Sequence, residues 1–342
     1  MAKIAVAVSG GVDSAVAAAR LLDAGHDVTA VHLVLQSRAA VADARAVADA
    51  LGIPFLLWDM TDEFQQLVID DFIETYSNGQ TPNPCLTCNR TIKFGAMLDR
   101  VLGLGFDGLA TGHYARLLST GGTVELRRAF EAAKDQSYVL AVLTQAQLRR
   151  TWLPLGASSK SQVRAEAGER GLPVAAKAES MDICFIADGD TSGWLKQHLG
   201  PRPGEIVDES GEVLGTHDGT FLFTVGQRRG LNLRQPAADG QPRFVLGVDA
   251  PNRRVVVGPK EHLATAHLET GPVVWSSGVA QVAPFEGRAQ VRAHGEEVDC
   301  RVTPLADGGM GIELSSAIYG VAPGQTAVVY DDDLVVVSGV IR

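Results

Sequence analysis

Ser9-Gly10-Gly11-Val12-Asp13-Ser14 lies between an apolar run over residues 4–8 and an Ala- and Leu-rich segment over residues 15–22. This pattern predicts a buried strand, a glycine turn and a helix in direct succession. In such a turn, backbone N–H groups and the positive end of the helix dipole point at one spot, which suits a phosphate. Ser9 and Ser14 add hydroxyl donors, and Asp13 is expected either to hold a magnesium ion or to cap the helix.

The turn differs from the Walker phosphate loop, because it contains no lysine and its glycines are spaced differently. It resembles instead the SGGxDS loop of the ATP pyrophosphatases, which split ATP between the α- and β-phosphates. That resemblance implies that the protein places AMP on a carbonyl oxygen of its substrate.

Strand and helix patterns continue to alternate after the turn. Apolar strands are predicted over residues 28–35 and 53–58, with an Ala-rich helix over residues 39–51 between them. This alternation implies an α/β fold with a parallel sheet, whose ligands sit beyond the carboxyl ends of the strands. The glycine turn lies at that edge, and Leu33 on the second strand is placed to line an adenine pocket.

The composition is that of a globular protein with ample core, because 46% of the 342 residues are hydrophobic and 20% are charged. No apolar run approaches a membrane span and no signal-peptide pattern opens the chain, so we expect a cytoplasmic protein without a membrane partner. Four irregularly spaced cysteines do not suggest a disulfide scaffold. The net charge of −10, taken alone, argues against a nucleic-acid partner.

The composition of the sequence changes near residue 197, where Gly, Pro and β-branched residues become more frequent and long helical patterns stop. We therefore predict three domains, over residues 1–197, 198–261 and 262–342. Several short alternating strands with turn signals indicate that the last domain is a small β-barrel.

Four local patterns give further expectations. Two prolines over residues 81–89 favour an extended loop rather than a helix. A hairpin turn is predicted at Gly121-Gly122. The acidic run over residues 331–333 is expected to be a solvated turn. Cys300 lies in an alternating strand pattern and is expected to be a small buried hydrophobe.

The remaining cysteines allow three interpretations. Cys85 and Cys88 form a Cys-x-x-Cys pair, and Cys184 lies far along the chain. A structural zinc site needs four ligands, and the sequence offers no second pair. A thioredoxin-like pair belongs at the start of a helix in a different fold. The third interpretation is a sulfur relay, in which one cysteine carries a persulfide and another helps release its outer sulfur.

A sulfur relay fits an ATP pyrophosphatase loop for a chemical reason. Replacing a carbonyl oxygen with sulfur is difficult because oxide is a poor leaving group. Adenylation makes AMP the leaving group, and a persulfide then supplies a nucleophilic sulfur at the same carbon. A chain that combines this loop with paired cysteines is therefore expected to catalyse a thiolation.

Widely separated motifs, in the family's order, make the whole chain resemble the tRNA-specific 2-thiouridylase (MnmA/TrmU) family. They are SGGVDS from Ser9, TPNPCLTCNRTIKF from Thr81, ATGHY from Ala110, KDQSY from Lys134, ICFI from Ile183, TVGQRRGL from Thr224 and APGQ from Ala322. The resemblance implies an adenine nucleotide alpha hydrolase-like (PP-loop) domain, a small central domain and a C-terminal β-barrel. It also implies adenylation of O2 of the tRNA wobble uridine (position 34), and then sulfur transfer that gives 2-thiouridine, AMP and pyrophosphate.

The resemblance also implies roles for individual residues. Cys88 and Cys184 would be catalytic, and Cys184 would receive its persulfide sulfur from a donor protein. ATP, with magnesium, would be bound by Ala7, Val8, Ser9, Gly10, Gly11, Val12, Asp13, Ser14, Leu33 and Gly112. The tRNA would contact Asn83, Pro84, Cys85, His113, Lys134, Asp135, Gln136, Arg292, Ala293 and Gln325. Residues 83–85 would lie against the target base, which must leave the base stack to react.

Three features depart from the family's pattern. Many relatives carry an Asp, a candidate base, where this chain has Cys85. Cys85 could instead join Cys88 and Cys184 in holding an iron–sulfur cluster. The link over residues 36–40 is shorter than the usual loop near the ATP site. Ala293 stands where an aromatic residue often follows the arginine, which weakens the tRNA contact expected there.

Two questions stay open on the sequence. The outer sulfur of a Cys184 persulfide either attacks C2 directly or leaves as hydrogen sulfide when Cys88 attacks Cys184. A different ATP pyrophosphatase, with ammonia or aspartate as nucleophile, and a non-catalytic tRNA- or metal-binding protein are the rival functions.

Overall fold

Three β-sheets organise the chain, and the first contains the strand that leads into the glycine turn. The computed structural model describes residues 1–178, 183–186, 189–233 and 240–342. The strands are β1 (Lys3–Ala7), β2 (Asp27–Val34), β3 (Phe55–Asp59), β4 (Gly108–Ala110), β5 (Arg116–Thr120), β6 (Thr123–Arg127), β7 (Thr151–Trp152), β8 (Gly204–Val207), β9 (Val213–His217), β10 (Phe244–Asp249), β11 (Arg254–Gly258), β12 (Ala264–Trp275), β13 (Phe285–Gln290), β14 (Val298–Pro304), β15 (Met310–Tyr319), β16 (Thr326–Asp331) and β17 (Leu334–Ile341).

Helices cover both faces of the first sheet. The α-helices are α1 (Val12–Asp23), α2 (Val41–Leu51), α3 (Thr61–Phe64), α4 (Asp70–Ser77), α5 (Pro84–Cys88), α6 (Leu98–Gly103), α7 (Ser137–Leu140), α8 (Gln145–Leu148), α9 (Lys160–Glu169) and α10 (Thr191–Leu199). Two π-helical segments, Gln65–Ile69 and Asn89–Met97, and three 3-10 turns, Ala132–Lys134, Thr220–Leu222 and Lys260–Leu263, complete the set.

The first sheet has the strand order β3-β2-β1-β4-β7, and every pairing in it is parallel. Its strands are apolar on both faces because a separate hydrophobic cluster covers each face. One cluster contains α1, α2 and α9 side chains, and the other contains those of α6 and the two π-helical segments. The predicted α/β fold and the strand–turn–helix at residues 4–22 are confirmed.

The expected extended loop over residues 81–89 is wrong in part, because α5 occupies Pro84–Cys88. Asn83 caps this helix by accepting a hydrogen bond from the Cys85 N–H at 3.1 Å. Pro84 stands at the first helical position, where a missing N–H costs nothing because that group has no partner within the helix. The prolines therefore start a helix here instead of preventing one.

The central sheet has the order β10-β11-β8-β9 and encloses a small core that includes Ile206, Val245 and Val255. The last sheet runs β12-β15-β14-β13-β16-β17, and a β12–β17 pairing closes it into a six-stranded barrel. Cys300 is 3% exposed within the barrel core, so the expectation of a buried thiol is confirmed. A closed barrel leaves no free edge between its first and last strands.

The predicted hairpin forms at Gly121 and Gly122, with β5 and β6 as its strands. These strands extend the barrel's sheet, because Arg127 of β6 pairs with Leu334 of β17. The sequence suggested that the acidic turn beside Leu334 is solvated, and this expectation is wrong at Asp333. The Asp333 carboxylate instead forms ion pairs with both Arg116 and Arg127 of the hairpin.

We predict that Asp333→Asn weakens the docking of the barrel on the hairpin. The substitution removes the charge from two hydrogen-bonded arginine contacts, so the free energy of unfolding should fall by about 1–3 kcal/mol. Asp332→Asn is the matched control, because the Asp332 side chain is 92% exposed and makes only a long contact with Arg288. Its effect should stay below about 0.5 kcal/mol. Equal urea midpoints for the two variants would contradict a role for Asp333 in docking.

Candidate active site

Ser14 fixes the shape of the glycine turn from within the first turn of α1. The Ser9 N–H donates to Ser14 Oγ at 3.1 Å, and Ser14 Oγ donates to the Gly11 carbonyl oxygen at the same distance. Gly10 has a φ of +78°, and a Cβ there would lie 2.9 Å from the Ala40 carbonyl oxygen. The short link over residues 36–40 therefore brings the start of α2 against the turn.

Gly112 follows β4 and presses on the first turn of α1. A Cβ on Gly112 would lie 2.8 Å from the Ser14 nitrogen and 2.9 Å from the Asp13 carbonyl carbon. Gly112, which the resemblance places at ATP, therefore lies with its backbone against the glycine turn. The other positions expected at the nucleotide, Ala7 and Leu33, are partly buried at the carboxyl ends of β1 and β2.

Two lysines and a tyrosine from distant segments reach the turn, although the turn itself contains no basic residue. The Lys160 Nζ lies 2.7 Å from both carboxylate oxygens of Asp13. The Tyr114 hydroxyl donates to Asp13 Oδ1 at 2.8 Å. The Lys177 Nζ donates to the Gly10 carbonyl oxygen at 2.8 Å. Sequence reasoning missed all three, because no local pattern connects residues 114, 160 and 177 to the turn.

The cysteines at positions 85, 88 and 184 lie close enough to influence one another electrostatically. Cys88 is 7% exposed, and burial raises the pKa of its thiol, with a further rise from Cys85 and an opposing effect of the Lys93 ammonium. Cys184 is exposed, yet desolvation by the surrounding protein, and then Cys88 and Cys85, raise the pKa of its thiol to about 11. Lys93 opposes that rise as well.

Aromatic packing holds Cys184 at this place. The next residue, Phe185, is 8% exposed, and its ring lies 5.9 Å from that of Phe64, 5.2 Å from that of Phe72 and 5.4 Å from that of Trp194. The contacts with Phe64 and Phe72 are edge-on, and such contacts add to the stabilisation from area burial. Phe185 therefore anchors the segment, while the neighbouring thiol faces solvent.

His113 connects the glycine turn with the cysteines. Its Nδ1 is 2.8 Å from Thr111 Oγ1, and its ring lies 6.1 Å from that of Phe94. Burial, and then the nearby Lys93 charge, hold the pKa of His113 well below its usual value, so the imidazole is neutral at pH 7. Because His113 directly follows Gly112, one short segment of chain contacts both the glycine turn and the cluster that contains Cys88.

All three domains meet at the chain just before α5. The Thr81 N–H donates to the Pro323 carbonyl oxygen of the barrel at 2.8 Å. The Thr81 Oγ1 lies 3.4 Å from Thr224 Oγ1 of the central domain. Gly324 approaches the same segment so closely that a Cβ on it would lie 3.0 Å from the Thr81 nitrogen. The other domains therefore brace the segment that carries Asn83 and the cysteine pair.

The structure uses several of the expected tRNA-contacting side chains internally. The Asp135 carboxylate accepts hydrogen bonds from Arg128, Ser137 and the Ala129 N–H. Gln136 Oε1 accepts from the Tyr114 N–H at 2.9 Å. Lys134, in the preceding 3-10 turn, is partly buried. This arrangement holds the Lys134–Gln136 motif beside His113.

The expected barrel residues lie just after β13 and just before β16. Arg292 is exposed and donates to the Tyr319 carbonyl oxygen at 2.9 Å. Ala293 packs against the hydrophobic cluster that contains Cys88. The side-chain oxygen of Gln325 is buried without a hydrogen-bond partner in the described structure. Ala293 thus contributes to the interface between domains, where an aromatic residue was the family expectation.

An iron–sulfur cluster does not fit the side chains in their present arrangement. Across the residues that the structure describes, no group of three or more His, Cys, Asp or Glu side chains is placed to hold a metal ion. The gathering of Cys85, Cys88 and Cys184 is close enough for their charges to interact, but it does not form a ligand set. We derive no chemistry from a cluster.

Three family models of known proteins match consecutive ranges of the chain. The family model "tRNA methyl transferase HUP domain" matches residues 2–188, "tRNA methyl transferase PRC-barrel domain" matches 192–259, and "Aminomethyltransferase beta-barrel domain" matches 265–341. The tRNA-specific 2-thiouridylase MnmA of Cutibacterium acnes is 53% identical, with 99% of this chain and 96% of that protein covered. The protein of the same name from Mycolicibacterium smegmatis is 52% identical, with 99% of both chains covered.

The parallel sheet, the glycine turn and the basic side chains above it define the class of an ATP-using PP-loop domain joined to two β domains. The chain belongs to the tRNA-specific 2-thiouridylase family. In the described residues, no helix has both the length and the apolar character that crossing a bilayer would need.

We predict that Gly112→Ala disrupts the nucleotide side of the site. The added methyl group would meet backbone atoms of Asp13 and Ser14 below 3.0 Å, so the first turn of α1 must shift. ATP affinity measured by calorimetry should fall by at least about tenfold. Gly103→Ala is the control, since a Cβ there meets nothing within 4 Å. Unchanged ATP binding by Gly112→Ala would show that the contact is not needed.

We predict that Cys184 is alkylated slowly at pH 7 and faster as the pH rises. Because its pKa is raised to about 11, the reactive thiolate should increase about tenfold per pH unit between pH 7 and 10. Lys93→Gln removes a charge that lowers the pKa, so the rate at each pH should fall. Lys3→Gln, at the opposite end of the sheet, should not change it. The rates are measured by mass spectrometry of the Cys184 peptide after iodoacetamide pulses.

Proposed function

We propose that this chain is a tRNA-uridine 2-sulfurtransferase that converts the wobble uridine of tRNA to 2-thiouridine. The observation that carries the proposal is the position of His113. It directly follows Gly112, which contacts the ATP-type turn, and it shares the electrostatic influence of Lys93 with Cys88 and Cys184. An adenylating site and a thiol site therefore face one small volume, as thiolation of an activated carbonyl requires.

The first half of the reaction uses ATP at the Ser9–Ser14 turn. The uridine O2 attacks the α-phosphorus, the bond from that phosphorus to the bridging oxygen breaks, and pyrophosphate leaves with the electron pair. Backbone N–H groups at the start of α1 stabilise the phosphate charge. Residues 83–85, braced by the barrel and the central domain, receive the base after it leaves the stack. His113, Lys134, Arg292 and Gln325 contact the tRNA around it.

The second half uses the exposed Cys184 and the buried Cys88. A donor protein's persulfide can reach Cys184, because that thiol faces solvent, whereas Cys88 is 7% exposed. In one route the outer sulfur attacks C2 and AMP leaves, which joins C2 to Cys184 through an S–S bond. Cys88 then attacks the Cys184 sulfur and breaks that bond, so the outer sulfur stays on C2. In the other route Cys88 first attacks Cys184 and releases hydrogen sulfide, which attacks C2 and displaces AMP. Either route leaves a disulfide between Cys88 and Cys184, so an external thiol must reduce it before the next turnover.

We predict that Cys184→Ala and Cys88→Ala each abolish 2-thiouridine formation while ATP binding persists. The alanine variants remove the sulfur carrier or its partner, but they do not touch the glycine turn. The measurement is thionucleoside analysis of tRNA incubated anaerobically with ATP, a persulfide source and protein. Cys300→Ala is the matched control, because that thiol lies in the barrel core, and it should retain the activity.

Cys85→Asp restores the side chain that many relatives carry at this position and should retain thiolation. If Cys85→Asp and Cys85→Ala both abolish it, Cys85 has a role of its own in the reaction.

Wild-type protein that releases pyrophosphate with ammonia or aspartate, and makes no thionucleoside, would overturn the proposed function and leave only the ATP chemistry.

A further inference from the structure

A phosphate-binding turn without a lysine must obtain its positive charge from elsewhere in the chain. Inorganic pyrophosphate is strongly anionic, and backbone N–H groups supply only partial charges. Within the described residues of this chain, the Lys160 ammonium is placed against the carboxylate of Asp13, the acidic residue of the turn. Its side chain is 14% exposed, so the charge is held inside the site and not in solvent.

The frame around Lys160 is rigid. Lys160 is the first residue of α9, and Ser159 and Gln162 form a capping box that fixes the start of this helix. The Lys160 N–H donates to Glu131 Oε2 at 2.5 Å. Arg20 of α1 binds Glu166 of α9 with two hydrogen bonds, at 3.0 and 2.7 Å. The helix that carries Lys160 is therefore fixed to the helix that begins at the turn.

Lys177, the other lysine at the turn, has a different environment. Its ammonium donates to the Gly10 carbonyl oxygen and lies 2.5 Å from Asp43 Oδ2. Its side chain is 40% exposed. These contacts brace the backbone of the turn against α2, whereas Lys160 binds the side chain of Asp13.

The contacts of the two residues after Gly112 indicate which end of the nucleotide Lys160 faces. His113 faces Phe94 in the cluster that contains Cys88, while Tyr114 belongs to the cluster of α1 and α9 and bonds to Asp13. The attacking uridine oxygen must come from the thiol side, where sulfur is later delivered. In phosphoryl transfer the leaving group departs opposite the attacking oxygen. The departing pyrophosphate therefore faces the Lys160 side.

We propose that Lys160 binds the β- and γ-phosphates of ATP and stabilises the pyrophosphate as it leaves. In the nucleotide-free protein, Asp13 holds the ammonium in place, and the pair prevents the carboxylate from repelling the phosphates. When ATP binds, the ammonium turns to the phosphate oxygens. The proposal rests on the proposed use of ATP at this turn, but it is independent of the thiolation that follows.

The test measures binding of inorganic pyrophosphate, ATP and AMP to the full chain by calorimetry, in the presence of EDTA. Lys160→Gln should weaken pyrophosphate and ATP binding by at least about tenfold, because it removes a charge-assisted contact. AMP binding should change less than about twofold, since AMP lacks the phosphates that Lys160 contacts. Lys160→Arg should recover part of the affinity. Lys196→Gln is the matched control, because Lys196 lies in α10 and pairs with Asp218 of the central domain.

A double variant separates direct contact from simple neutralisation of Asp13. If Lys160 only cancels the Asp13 charge, Asp13→Asn combined with Lys160→Gln should restore pyrophosphate affinity. If Lys160 contacts the phosphates, the double variant should stay weak. Restored affinity, equal loss for AMP and ATP, or no loss at all would each overturn the proposal. If the wild-type protein makes no 2-thiouridine, the proposed function is overturned, but the pyrophosphate-binding result still tests the role of Lys160.

Discussion

The contact of Gly112 with the first turn of α1 is the constraint on which the site depends. It leaves no room for a side chain, so the end of β4 and the start of α1 are held at backbone distance. The next two residues then diverge, with His113 facing Phe94 in the cluster that contains Cys88 and Tyr114 bonded to Asp13. One glycine thus links the glycine turn with the cluster that contains Cys88.

The positions of the thiols depend on packing between domains as much as on the first sheet. Cys88 ends a short helix whose entry is bonded to the barrel through Pro323. Cys184 is held by the ring of Phe185 among aromatic residues that include Trp194 of α10. Movement of the barrel or of α10 would therefore alter the distance between the two sulfurs. The exposure of one thiol and the burial of the other suit different steps of a relay.

The net charge of −10 argued against a tRNA partner. The structure shows why the net charge of the whole chain is a poor guide to the local potential. Several arginines near the domain interface are neutralised by internal carboxylates, as Arg116 and Arg127 are by Asp333. Elsewhere the acidic side chain is the one that is neutralised, as Asp13 is by Lys160. The potential that a ligand meets depends on which charges remain unpaired at the site, and composition does not record that.

The sequence by itself determined the parallel α/β domain, the glycine turn, the barrel and the motifs of the family, because each depends on local periodicity or on residues adjacent in the chain. It failed at Pro84, where the capping side chain of Asn83 turned an expected loop into a helix. Only the tertiary structure decided that Lys160 reaches Asp13, that the Lys93 charge acts on the distant thiol of Cys184 and that Asp135 is bonded internally. These relations join residues from separate elements, and they exist only once the helices have packed on the sheet and the barrel has docked.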